Sequence, residues 1–247
     1  MAEKKYTPMM QHYLKMKEEN PDSILFYRLG DFYEMFFEDA KLVSQELDLV
    51  LTGRSAGVEE KVPMCGIPFH AANSYIQRLV KKGYKVAICE QLEDPSSAKG
   101  LVDRGIIKII TPGTYMDATM DAKSTNYMAS CDVSSFEITV IYCELSTGEL
   151  KYQTLQRSLV ALQKALLEQN VSELVCPMTM DKKWMAALEE MDTMLISKHK
   201  KANIDSEDLP LLNGIESESL KEAFALLMAY LKDTQKQRID HFLPIES

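Results

Sequence analysis

The stretch Arg28-Leu29-Gly30-Asp31-Phe32-Tyr33-Glu34 decides how the first half of the chain folds. Before it, Ile24 to Leu29 is a β-branched and aromatic run that reads as a buried strand. At and after Asp31 the sequence turns acidic and aromatic. Asp31 suits a helix N-cap, and Glu34, three residues on, completes a capping box by reaching back to an orphan backbone N–H. A helix is therefore predicted from Asp31 to about Glu46. Phe32 heads the apolar row Phe36, Ala40, Val43 and Leu47 at helical spacing, which favours a place in the core. The other reading sends Phe32 out of the first turn as a wedge, with Glu34 beside it as a polar reader. Local pattern leaves both readings open.

On the N-terminal side, Thr7-Pro8 supplies an N-cap followed by proline at the first helical position, so residues 8–19 are predicted helical, with Met10, Tyr13 and Leu14 on one face. On the C-terminal side, Asp48 to Thr52 is predicted to be a strand entering a flexible polar loop from Gly53 to Lys61. Met64 to Ile67 is a short extended run closed by Pro68. A helix over 69–82 follows, with Tyr75, Ile76, Leu79 and Val80 inward and Gly83 as its stop. Lys85 to Glu90 and Ile106 to Ile110 are predicted strands, and Thr111-Pro112-Gly113-Thr114 ends the run. The predicted first domain, residues 1–117, is α+β with a mixed sheet.

A linker from Met116 to Asn126 leads to a second pattern, the predicted domain of residues 118–247. Tyr127 to Val133, Phe136 to Leu145 and Glu149 to Thr154 are strands joined by connections short enough only for antiparallel hairpins. Helix 157–169, strand 171–176, helix 181–191 and strand 193–197 then alternate, as parallel crossovers do. The order βββαβαβ is that of ribonuclease-H-like domains. A helix over 218–232 follows, and the chain stops in mid-pattern after Asp240-His241-Phe242-Leu243-Pro244, which suggests a piece of a longer protein.

The chain has 247 residues, 46% of them hydrophobic, enough for a real core. No apolar run approaches the roughly 20 residues of a membrane span, and Met-Ala-Glu-Lys-Lys-Tyr has no signal-peptide core, so no membrane is expected and the cytoplasm is favoured. The five cysteines form no Cys-x-x-Cys pair and read as buried thiols. The net charge of −9 divides unevenly. Residues 1–117 carry 15 Lys and Arg against 17 Asp and Glu, and residues 118–247 carry 13 against 20. A near-neutral first half can place a local cluster on phosphates, but it has no basic arm that would bind DNA strongly alone.

Most catalytic candidates dissolve. Ala122-Lys123-Ser124-Thr125 has the tail of a phosphate loop without the preceding glycines. The histidines His12, His70, His199 and His241 lie far apart, with no ligand spacing. Asp132 is the exception, since a carboxylate on the first strand of a ribonuclease-H-like sheet is where such nucleases hold a metal. Glu144 and Asp181 are its candidate partners in a metal-dependent nuclease, the alternative function. One placed aspartate falls short of the convergent acids that two-metal chemistry requires.

Phe26-Tyr27-Arg28-Leu29-Gly30-Asp31-Phe32-Tyr33-Glu34-Met35-Phe36, Pro63-Met64-Cys65-Gly66-Ile67-Pro68-Phe69-His70-Ala71, Val86-Ala87-Ile88-Cys89-Glu90-Gln91 and Ile109-Ile110-Thr111-Pro112-Gly113-Thr114 resemble, in order, the amino-terminal part of the bacterial DNA mismatch repair MutS family. The resemblance runs closely through residues 7–115 and more loosely beyond. It implies a mismatch-recognition domain followed by a ribonuclease-H-like connector without nuclease activity. The family's core, clamp and ATPase domains have no counterpart here, so no catalytic residue, metal or cofactor is expected in this chain. ATP and Mg belong to the missing ATPase domain.

The resemblance also implies site roles. Phe32 falls on the family's wedge and Glu34 on its mismatch-reading glutamate, while Arg54 matches a position near the DNA backbone; Tyr33 and Met64 complete the expected DNA-binding set. Gly53 stands where a lysine is common, and Glu59-Glu60-Lys61 precedes Val62, which implies weaker backbone affinity. The implied partners are mismatched double-stranded DNA and, through the connector, a MutL-type repair protein. The longer protein is expected to be a homodimer and this part of it a monomer.

Overall fold

The structure is a computed structural model, and it describes residues 6–93, 102–116, 126–237 and 239–247. It divides into two units, Met1–Thr111 and Pro112–Ser247. The expected linker from Met116 to Asn126 and the tetrapeptide Ala122-Lys123-Ser124-Thr125 lie almost entirely or wholly outside the described residues.

Unit 1 opens with helix α1 (Pro8–Glu19), whose N-cap Thr7 accepts from Met10 N at 3.4 Å. Strand β1 (Ser23–Leu29) follows as expected, but the predicted Asp31 helix does not form. Gly30-Asp31 is instead a two-residue hairpin loop between paired Leu29 and Phe32, and strand β2 runs from Phe32 to Phe36. Gly30 stands at φ +58°, the left-handed conformation that a tight hairpin asks of its first loop residue and that glycine adopts without strain. Asp31 therefore caps nothing, and Glu34 is a strand residue rather than half of a capping box. Helix α2 (Phe37–Leu47) begins only after the strand. The acidic aromatic run satisfies helical spacing and strand alternation alike, and pairing with β1 and β4 (Val62–Pro68) selects the strand.

Two smaller differences follow. Asp48 takes a left-handed conformation, φ +56°, and ends α2, so the next strand is β3 (Thr52–Arg54), displaced from the expected Asp48–Thr52. That puts Arg54 on a strand and not in a loop. The predicted helix 69–82 opens with a 3₁₀ turn, Phe69–Ala71, before α3 (Ala72–Val80). With β5 (Lys85–Gln91) and β6 (Arg104–Ile110) the sheet has the order β3-β4-β2-β1-β5-β6, antiparallel throughout except for β1 against β5. Helix α1 packs Met10 and Tyr13 on one face, against Leu25, Tyr27, Phe36, Val62 and Ala87. Helix α2 lies on the other, where Cys65 Sγ is 3.5 Å from Ala40 O.

Unit 2 carries β7 (Tyr127–Val133), β8 (Glu137–Glu144) and β9 (Glu149–Gln156) as an antiparallel meander. Helix α4 (Leu159–Glu168), β10 (Val171–Pro177), α5 (Lys182–Glu189) and β11 (Leu195–His199) then add two parallel strands, giving the order β11-β10-β7-β8-β9. Helix α6 (Glu218–Gln235) covers one face through Phe224, Leu227 and Leu231, against Met128, Ile141 and Val175. Helices α4 and α5 cover the other through Leu162, Leu166, Met185 and Leu188. Glu173, fully buried on β10, accepts from Gly113 N (3.0 Å), Ser197 Oγ (2.6 Å) and Tyr230 Oη (2.5 Å). Along the β9 edge, Tyr152 N donates to Glu246 O (2.8 Å) and Glu246 N to Leu150 O (3.0 Å), a short parallel bridge.

Among the described residues no helix is long and apolar enough to cross a membrane. All five cysteines are free and buried. Burial pushes the Cys65 thiol up to about 11 and the Cys89 thiol up to about 12, so both stay protonated and inert at neutral pH.

Candidate nucleic-acid interface

Strand alternation sorts the residues of β2 onto two faces. Phe32, Glu34 and Phe36 point to the α1 side, while Tyr33 and Met35 point to the other. Phe36 is buried under α1, its ring 4.9 Å from that of Tyr13 in a T-shaped contact. Helix α1 does not extend over Phe32, which is 47% exposed although apolar and aromatic. The helical-spacing argument that favoured core for Phe32 is thus overturned by the strand: its period-two neighbours, not its period-four ones, set its surroundings.

Glu34 lies between the exposed and the buried ring. Its partner in register is Gly66, which presents no side chain, so the space beside the carboxylate stays open to a residue from further along the sheet. Arg54 fills it. From β3 its side chain lies back across the face, with the guanidinium 5.9 Å from the Phe36 ring and Nη1 ion-paired to Glu34 Oε2. An exposed ring, a carboxylate and a guanidinium therefore share one patch. Three of the residues singled out in the sequence converge there from two strands that share no hydrogen bonds.

A family model for MutS domain I matches residues 7–119. Over those residues the chain is similar to MutS domain I. Along nearly its full length it is similar to proteins named DNA mismatch repair protein MutS. The one from Bacillus licheniformis is 45% identical over 246 residues, covering 98% of this chain and 28% of the relative. That from Clostridium tetani is 44% identical over 248 residues, 96% and 28% covered, and that from Bacillus subtilis 43% over 242 residues, 98% and 28% covered. The chain thus spans 28% of the length of the curated relatives it matches, their N-terminal part.

Within unit 1 the two remaining expected site residues lie apart. Met64 pairs with Phe36 on the same face as Glu34, half-buried against the α1 cluster. Tyr33 faces away. It is 7% exposed, packs on Phe26 at 5.8 Å and donates its hydroxyl to Glu90. Burial and the Glu90 carboxylate push the phenol well above its ordinary range, so it remains a donor. The expectations did not include Arg28, Phe69 and Glu90, which gather behind the same hairpin. The exposed phenylalanine in the Pro68-Phe69-His70 run was the available signal.

The carboxylates of the nuclease alternative do not converge. Asp132 accepts from Ser219 Oγ at 2.9 Å and pairs with Lys201 at 3.2 Å, and Lys201 also reaches Glu222 at 2.5 Å. Burial alone would lower the Lys201 ammonium, but its bonds to Glu222 and Asp132 outweigh this and hold it above its ordinary value. Asp132, Lys201 and Asp181 line one cavity of about 250 Å³, yet the Asp181 carboxylate caps α5 through Lys183 N at 2.8 Å. Glu144 lies elsewhere and accepts from Ser146 and Thr147; burial pushes its carboxyl up, and those hydrogen bonds more than reverse the effect. Among the described residues no group of three or more metal-ligating side chains occurs.

Proposed function

We propose that this chain is the mismatch-reading part of a DNA mismatch repair protein. Phe32 enters the minor groove and unstacks a base step, Glu34 tests the disturbed base, and Arg54 holds the adjacent backbone. Kinking a duplex costs a few kcal/mol, least where pairing is already defective, so mispairs are read by deformability. A phenyl ring stacks on any base, which lets one residue serve many mispairs. The observation that carries this reading is the exposed Phe32 ring beside the Glu34–Arg54 pair, on a stretch of sheet that α1 leaves bare.

The remaining roles rest on kinship. The meander with two parallel crossovers in unit 2 supports a ribonuclease-H-like connector that docks a MutL-type partner and cleaves nothing. ATP and Mg act in parts of the longer protein beyond this sequence, and that protein is a cytoplasmic homodimer. The pairing of Asp132 with Lys201 favours the connector over the nuclease.

The test is binding of mismatched and perfect duplexes by the complete protein, with Phe32 intact or replaced by alanine. Loss of mismatch preference with an unchanged melting temperature supports the wedge. An equally large loss of stability would return Phe32 to the core. Phe36→Ala is the control, expected to cost about 3–5 kcal/mol of stability as a buried phenylalanine does.

A further inference from the structure

The turn that carries Phe32 is braced from behind. Arg28 pairs in register with Tyr33 and so projects on the face opposite Phe32. Its Nε donates to Gly30 O at 2.5 Å, its Nη1 is 3.5 Å from the Glu90 carboxylate, and its guanidinium lies 3.6 Å from the centre of the Phe69 ring. Phe69 in turn donates its backbone N–H to Asp31 O at 2.9 Å. Both carbonyls of the two-residue loop are thus held, one by Arg28 and one by Phe69, and the two holders stack on each other. Glu90 ties in Tyr33, the neighbour of Phe32, and Arg104 Nε fixes the carbonyl of Arg28 at 2.9 Å.

A wedge works only if what carries it does not yield. Forcing a base step open takes a few kcal/mol, and a two-residue loop containing glycine is the most pliable point of a hairpin. We propose that Arg28 and Phe69 are positioning residues for Phe32, whose stacked brace fixes the Gly30-Asp31 turn so that the ring meets DNA at a preset angle. The inference rests on the reading of Phe32 as the wedge. Arg28 is suited to the task because a planar guanidinium can bond and stack at once, which an ammonium cannot. With its side chain 16% exposed and directed away from Phe32, Arg28 is placed to brace the turn rather than to meet phosphate.

The experiment is a double-mutant cycle in the complete protein, reading the ratio of mismatched to perfect duplex affinity by fluorescence anisotropy. Arg28→Lys, which keeps the charge, and Phe69→Leu, which keeps the apolar bulk, should each lower that ratio about three- to tenfold, in the lower part of the range of coupling between neighbours in contact. Phe69→Tyr, which keeps the stack, should retain it. In the Phe32→Ala background neither Arg28→Lys nor Phe69→Leu should lower the ratio further. The proposal is overturned if Phe32→Ala abolishes the ratio while both brace variants preserve it. It is also overturned if their losses add in full to that of Phe32→Ala, which would make them DNA contacts in their own right. A ratio unmoved by Phe32→Ala itself would sink the wedge reading instead. Should Phe69→Leu fail to fold, Arg28→Lys and Phe69→Tyr still decide the matter.

Discussion

Glu34 with Arg54 and Asp132 with Lys201 are chemically alike: each is a carboxylate paired with a basic side chain on one face of a mixed sheet. Their surroundings differ. Over Asp132 the helix α6 supplies Ser219 as a second donor and Glu222 as a second anion for the lysine, so the pair is knitted into the cover. Over Glu34 the helix α1 buries Phe36 and stops short of Phe32, leaving the pair beside a bare aromatic ring. An ion pair is thus no guide to function by itself. What distinguishes a site is an apolar group kept exposed when a helix lies close enough to have covered one more residue.

If unit 2 is built for stability and the bare end of unit 1 for contact, substitutions in the two should separate by readout. The largest effect is expected at Glu173→Ala, which removes the shared acceptor of three buried donors, with about 1–3 kcal/mol for each one left unsatisfied, and should lower the unfolding free energy by several kcal/mol in chemical denaturation. Next comes Phe32→Ala, expected to reduce the mismatch-to-perfect ratio about 5- to 150-fold, the worth of one base–aromatic stack. Its unfolding free energy should stay within about 0.5 kcal/mol of wild type, as for surface positions generally.

Smaller is Glu34→Gln. The carboxylate repels phosphate and occupies Arg54, so its removal should tighten perfect-duplex binding about two- to fivefold, the scale of a partly exposed ion pair. The logarithmic salt dependence should steepen by up to about 0.9 as Arg54, no longer partly neutralised by Glu34, acts on the backbone with its full charge. An unchanged salt slope would mean that Arg54 never reaches the backbone. The smallest effect is expected at Asp132→Asn. Its stability cost should stay under about 1 kcal/mol, and duplex incubated with Mg²⁺ or Mn²⁺ should remain intact with either form. Cleavage that disappears on this substitution would revive the nuclease and erase the contrast between the two pairs.

Much of this was legible in the sequence, and the exceptions share a cause. The βββαβαβ pattern of unit 2 is written in local signals: short turns, alternation and N-cap residues such as Ser158, Asp181 and Ser217, each of which accepts from the first turn of its helix. The hairpin at Gly30-Asp31 is not. Phe32 to Phe36 fits a capped helix by spacing and an alternating strand by chemistry, and its partner β4 lies about thirty residues further along the chain. Only that non-local pairing decides which period counts, and with it whether Phe32 is inside or out. Resemblance supplied Phe32, Glu34 and Arg54, whereas the approach of Arg54 to Glu34 depends on Gly66 standing between their strands, a fact of register. Tyr33 adjoins Phe32 in sequence yet packs behind it, against Phe26 and Glu90. In a strand, adjacency means opposite faces.

The short bridge between Glu246 and β9 bears on how the chain behaves in company. An open strand edge is a template on which another molecule can add its own strand. Here residues 243–246 take that place: Tyr152 N and Leu150 O are already engaged, and Gly148 O accepts from Leu243 N at 2.9 Å. Position 148 allows no side chain, since a Cβ there would lie 2.1 Å from His241 O. The segment thus acts as a selvedge on the sheet, and a change that unpicks it invites aggregation through β9 even where the fold itself survives.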